Sequence, residues 1–152
     1  MSKRVCVNAH NRYRRQHGVP EVAWDPALAR AAKKVVDSNA ARNVFAHSSG
    51  QHPYGENIAA GMTPRAAIDA WAAEREAIPD DIPDGDAMFN YAGHFTAMVW
   101  RDTARIGCAR RPETIAGFAG QVVCLYDPPG NYAGSNYKAF VPPRVKTGRW
   151  AS

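Results

Sequence analysis

An α+β fold is predicted by three features of the sequence. Apolar stripes at helical spacing fill roughly its first two-thirds. Two alternating apolar segments follow, near residues 105 and 121. Glycine and proline clusters separate all of these, and helices followed by a hairpin read as helices packed on a small sheet.

The elements follow in order. Val5, Ala9, Tyr13 and Gln16 give a first helix over 5–17, stopped by Gly18 and Pro20. Asp25-Pro26 is a cap followed by a proline at the first helical position, and it opens a second helix. Leu28, Ala31, Ala32, Val35 and Val36 form its apolar stripe, and it ends near Asn43. Residues 44–55 read as a loop, and Glu56-Asn-Ile-Ala-Ala as a short strand. Thr63-Pro64 opens a third helix carrying Ala67, Ile68, Trp71 and Glu74. Residues 78–86 hold two prolines and four aspartates and are expected to be an exposed loop. A short fourth helix is expected from His94 to Trp100. Arg105–Arg110 and Gln121–Tyr126 then form a hairpin, whose link contains Pro112, Gly117 and Gly120. Past residue 137 a basic tail with Pro142-Pro143 is expected to be extended and mobile, giving one domain over 1–137 and a tail over 138–152.

A chain of 152 residues suits one domain with its own core. With 45% hydrophobic and 22% charged residues, the composition is a folding one. No apolar run reaches the ~18–20 residues that span a bilayer. Met1-Ser-Lys-Arg-Val is basic, but no apolar stretch of a signal peptide follows it. The net charge of +5, from 19 basic and 14 acidic residues, favours anionic surfaces. Arg12, Arg14 and Arg15, then Arg105, Arg110 and Arg111, then Arg144, Lys146 and Arg149 are read as a solvated basic face. With no aromatic-interleaved basic stripe, nucleic acid is not an expected partner.

His10, His17, His47, His52, His94, Glu56 and Glu74 are the candidate ligands and bases. None shows a zinc-protease spacing, and there is no nucleophile elbow and no glycine-rich phosphate loop. Spacing alone assigns them no common site. Cys108 and Cys124 stand 16 residues apart across the hairpin, with Cys6 far away. Spacing alone leaves open whether these are buried thiols or a disulfide with one free thiol.

Two longer motifs are more specific. Gly93-His-Phe-Thr-Ala-Met-Val-Trp100 with Thr103 and Ile106-Gly-Cys-Ala109 is one; Val123-Cys-Leu-Tyr-Asp-Pro-Pro-Gly-Asn-Tyr132 is the other. His10-Asn-x-x-Arg14, Trp24-Asp-Pro-x-Leu28-Ala, His47-Ser48, Gly55-Glu-Asn-Ile58-Ala and Trp71-x-x-Glu74 stand around them in order. Together they resemble the CAP superfamily, which includes plant pathogenesis-related type 1 proteins, over about residues 7–137.

The resemblance implies a three-layer α-β-α sandwich with a small antiparallel sheet between helices. It implies a large cleft in which His47 and His94 hold zinc or another divalent cation, with Glu56 and Glu74 behind them. His52 shares the loop of His47, but His47 carries the following serine and is the better match. It implies a Cys108–Cys124 disulfide, which leaves Cys6 without a partner, so that a monomer is expected, or a dimer through Cys6. Secretion, extracellular or periplasmic, is implied too.

Three departures from the family pattern bear on function. Ala97 stands where glutamine is usual, and Leu125 where asparagine is usual. The stretch Ile78–Met88, rich in aspartate, makes a poor sterol wall, so a sterol is not the expected ligand. The Pro128–Tyr132 segment resembles a region released as a defence peptide in plant members, and it reads better as a turn closing the sheet. The function expected first is a binding protein for a small lipid or a cell-surface component, with a weak divalent site and no required cofactor. A metal-dependent hydrolase with Glu56 or Glu74 as general base is the alternative, followed by a protein interaction module in defence or virulence.

Overall fold

Ser2 accepts a hydrogen bond from the Val5 N–H, and helix α1 (Lys3–Gln16) starts from that cap. The computed structural model describes residues 1–48 and 50–152. Strand β1 (Ala23–Trp24) follows, then α2 (Pro26–Arg42), capped by the Asp25 carboxylate on the Ala27 N–H. Asn43 closes α2 in the left-handed conformation. Strand β2 (Gly55–Ala60) leads to α3 (Pro64–Ala73), which tightens into a 3₁₀ turn over Glu74–Ala77. Helix α4 (Ala87–Val99) is kinked at Ala92, and β3 (Arg105–Ile115), β4 (Phe118–Asp127) and a short α5 (Tyr137–Phe140) complete the chain.

The sheet order is β1-β3-β4-β2. β3 pairs antiparallel with β4, and β4 with β2, but β1 pairs parallel with β3. The sheet is therefore mixed, not wholly antiparallel.

Alternation along the hairpin divides the core into two layers. Val123, Leu125 and Ala109 face α2, with Leu28, Ala32, Val35 and Val36 packed on them. Val122, Cys124, Tyr126, Ile106 and Cys108 face the other way, onto residues of α1, α3 and α4. The result is the expected sandwich, with α2 on one face and three helices on the other. Gly107 marks how closely α2 rides on β3: a Cβ there would sit 2.2 Å from the Ala29 nitrogen.

Four expectations change. Strand β3 runs on through Pro112 to Ile115, because a register shift between Arg111 and Thr114 absorbs the proline where it would break the ladder. The 78–86 loop is not wholly exposed, since Ile78 and Ile82 are buried and anchor it. Nor is the tail loose. Tyr137, Val141 and Trp150 are buried, the Trp150 indole N–H donates to the Val141 carbonyl at 3.0 Å, and Arg144 pairs with Glu76. The loop aspartates help to hold it: Asp86 accepts from the Gly134 N–H and Asp84 from the Lys138 N–H.

The last change concerns Arg14, which belongs to no solvated basic face. It is fully buried, and its guanidinium donates to the carbonyls of Pro20, Met98, Trp100, Arg101 and Thr103 at 2.7–3.3 Å. It thereby binds the end of α4 and the turn into β3 to α1. Burial pulls its pKa down to about 10.

Candidate functional site

The path of residues 44–47 is set by a pair of amides. Asn39 Nδ2 donates to the Ala46 carbonyl and to Gln121 Oε1, and Gln121 Nε2 donates to the Val44 carbonyl. This lashes the segment after α2 to β4 and delivers His47 beside Glu56 on β2. Across the cleft, Glu74 stands where α3 tightens, and His94 follows the α4 kink. Asn57 Nδ2 donates to the His94 carbonyl, and Asn131 Nδ2 to the Gly93 carbonyl, at 3.0 and 2.9 Å.

All four residues assigned by resemblance line one cavity of about 350 Å³, together with Asn57, Phe89, Tyr91 and Asn131. Each histidine has its own glutamate. His47 Nδ1 lies 2.8 Å from Glu56 Oε1, and His94 Nδ1 lies 2.7 Å from Glu74 Oε2. A carboxylate only accepts, so each Nδ1 carries a proton, and in the neutral imidazole Nε2 keeps its lone pair. Among the described residues neither Nε2 has a hydrogen-bond partner. The indole of Trp71 stacks on His94, with ring centroids 6.2 Å apart and planes 10° from parallel, and fixes the plane of the imidazole.

Both glutamates are engaged on the protein side. Glu74 Oε1 accepts the His94 and Phe95 N–H groups at 2.9 and 3.2 Å. Glu56 accepts from the Ser48 N–H at 3.0 Å, from the Ser48 hydroxyl, and from His47 and His52. Burial opposes its ionisation, but the donors from Ser48, His52 and His47 outweigh burial and hold its carboxyl below the ordinary range.

Resemblance singled out His47 and left His52 aside. The structure brings both to the same carboxylate, His52 to Oε2 at 2.8 Å, with His52 buried behind it and the His47 side chain 63% exposed at the cleft. His52 thus anchors Glu56. The Tyr54 N–H donates to His52 Nδ1, which puts the His52 proton on Nε2. That imidazole therefore cannot serve as base toward Ser48. Asn57 and Asn131 were not foreseen at the cleft. Both lie within the quoted motifs, Gly55-Glu-Asn and Pro-Gly-Asn131-Tyr, and that was their only signal in the sequence. His10 and His17 lie elsewhere, buried on and just after α1.

Cys6 also departs from expectation. It is fully buried against Cys108 and has no surface from which to bridge two molecules. Cys108 and Cys124 are directly opposed in the hairpin register. These three cysteines are the one set of three or more His, Cys, Asp or Glu donor atoms gathered within 4.8 Å among the described residues. A divalent ion in the cleft would accordingly find fewer than three such protein donors among the described residues.

Residues 7–126 match the sequence model of the cysteine-rich secretory protein family, CAP. The chain belongs to that family. It is 37% identical over 139 residues to pathogenesis-related protein 1A of Nicotiana tabacum, covering 89% of this chain and 80% of the tobacco protein. To a PR-1 type protein of Sambucus nigra it is 42% identical over 135 residues, or 84% of this chain and 77% of that one. It is also 36% identical over 133 residues to the secreted protein RBT4 of Candida albicans; the match covers 87% of this chain but only 36% of RBT4. Among solved structures, that of NaASP2 with Zn2+ superposes with a TM-score of 0.70 at 25% identity, covering 89% of this CAP chain and 83% of the other.

Proposed function

We propose that this CAP protein acts outside the cell as a binding protein for a small lipid or lipid-like component of a cell surface, with a weak divalent-cation site in its cleft. The observation that carries the reading is the pairing of His47 with Glu56 and His94 with Glu74, with both Nε2 atoms left over at one cavity. Carboxylate-backed imidazoles of this kind are how proteins present nitrogen to zinc. The donor set therefore fits such an ion, held by His47 and His94 and completed by water or ligand oxygen, where it would act as a Lewis acid. Two protein ligands are fewer than a dedicated zinc site uses, so affinity is low, and it falls as pH drops because a ligating imidazole must be unprotonated. Zinc in the structure of NaASP2 and secretion of RBT4 lie in the same direction.

The lipid part rests on a second cavity of about 310 Å³ that shares Glu74 and His94 with the cleft. Its walls are Ile58, Trp71 and the exposed side chains Phe45, Met62 and Phe118. An amphiphile fits this pair, with its chain against Phe45, Met62 and Phe118 and its anionic head toward the histidines. Hydrolysis is the weaker reading, because Glu56 and Glu74 already accept several internal hydrogen bonds each and neither is free to take a proton from water.

Titration with a fluorescent long-chain fatty acid tests the reading, with Met62→Glu as the comparison. Saturable binding weakened about tenfold or more by the charge is expected. Failure of the wild type to bind, or equal binding by the variant, contradicts the lipid assignment. Zinc-dependent turnover of peptides or esters that disappears in Glu74→Gln would replace it with the hydrolase.

A further inference from the structure

Three sulfurs meet where α1 crosses the hairpin: Cys6 from α1, Cys108 from β3 and Cys124 from β4. All three lie within 4.8 Å of one another. A cysteine sulfur forms one disulfide, so an oxidised chain holds one S–S bond and one thiol at this place. We propose that the triad is a thiol–disulfide exchange site in which Cys108 is the shared sulfur, passing between Cys6 and Cys124.

The exchange step balances within the protein. The Cys6 thiolate attacks Cys108 Sγ, the Cys6–Cys108 bond forms, and the Cys108–Cys124 bond breaks with its electron pair leaving on Cys124 Sγ. Cys124 then takes up the proton that Cys6 released. No oxidant is consumed. Only the first S–S bond needs a two-electron acceptor, for which a small disulfide such as oxidised glutathione suffices, being reduced to two thiols as it takes up two protons.

The backbone geometry points to Cys6–Cys108 as the resting bond. Its Cα atoms are 6.5 Å apart, inside the usual range for a disulfide, whereas those of Cys108 and Cys124 are 4.1 Å apart, just short of it. The two bonds also close loops of very different size, with sequence separations of 102 and 16. In the chain-entropy treatment the longer loop constrains the unfolded chain more, so the Cys6–Cys108 form is the more resistant to unfolding. The resting form therefore ties α1 to the sheet and leaves the thiol on Cys124. Exchange releases α1 and moves the thiol to Cys6. Both of these thiols are fully buried, so neither is offered to large partners.

A hydrogen-bonded chain leads from the triad to the cleft. His10 Nδ1 donates to the Cys6 carbonyl, Tyr126 donates to His10 Nε2, and Asn57, which also holds the His94 carbonyl, donates to Tyr126. Release of α1 acts on one end of it.

Peptide mapping of the intact protein tests the proposal. The chain is refolded in a glutathione redox buffer, acid-quenched before unfolding, alkylated and digested. Expected in the wild type are one alkylated thiol per chain and both linked peptide pairs, with Cys6–Cys108 the more abundant. Cys124→Ala should form only Cys6–Cys108, and Cys6→Ala only Cys108–Cys124. A single linked pair in the wild type, three alkylated thiols, or a disulfide between chains would each overturn it. The wild-type map decides even if a variant fails to fold.

Discussion

Arg14 ties α1 to the end of α4 and to the turn that enters β3. In sequence it belongs to a basic cluster with Arg12 and Arg15. In the structure it is buried without a carboxylate among the described residues, and its donors are spent on main-chain carbonyls from two separate stretches of chain. Nothing local in the sequence distinguishes it from its neighbours, because four of the five carbonyls it serves lie more than eighty residues away. Arg14→Met keeps most of the volume and removes every donor, leaving several buried acceptors unsatisfied. A loss of about 3 kcal/mol or more in urea unfolding is expected. A loss below about 1 kcal/mol would mean that water takes the place of the guanidinium.

At the scale of elements, the first three helices were legible because their signals are local, whereas α4 begins at Ala87, ahead of the expected start at His94. Asp25-Pro26 and Thr63-Pro64 cap helices where the sequence placed them, and Asn43 ends α2 as expected. The missed features depend on distant partners. β1 is two residues long and exists only through its pairing with β3. The tail is ordered because Trp150 and Val141 find the core and because Asp84, Asp86 and Glu76 receive it, which neither its prolines nor its charges announce.

The region of α1 also carries a pH dependence. Burial pushes both His10 and His17 down to about 4, although each gives a ring N–H to a carbonyl, Cys6 and Pro142 respectively. Folded, they stay neutral until about pH 4; unfolded, they protonate near 6.5. Between these values the unfolded chain binds more protons, so stability is whole above about 6.5 and is lost as pH falls toward 4. Urea unfolding at pH 7 and 4.5 should differ by about 2–3 kcal/mol for each histidine. The stretch from pH 6.5 to 5, above most carboxylate titration, should already slope downward. A flat profile there would mean that these imidazoles are not buried neutral.

For the molecule as a whole, the sandwich exists to bring β2, the end of α3 and the middle of α4 to one cavity, and the four cleft residues named from motif resemblance all line it. Spacing alone would not have found them, since each histidine meets its glutamate across nine or twenty residues of intervening loop and helix. The cysteine triad was illegible for the same reason: Cys6 reaches the hairpin only because α1 lies across the sheet face that carries Cys108 and Cys124. The cleft and the triad are separate places, and this separation guides the choice of a decisive experiment, because reduced cysteines would bind metal too. That experiment is calorimetric titration of the oxidised protein with Zn²⁺, comparing the wild type with His47→Ala/His94→Ala. Weak, saturable binding of one ion per chain that disappears in the double variant is the predicted result. No binding by the wild type, or binding that survives the loss of both imidazoles, would contradict the cleft as a divalent-cation site.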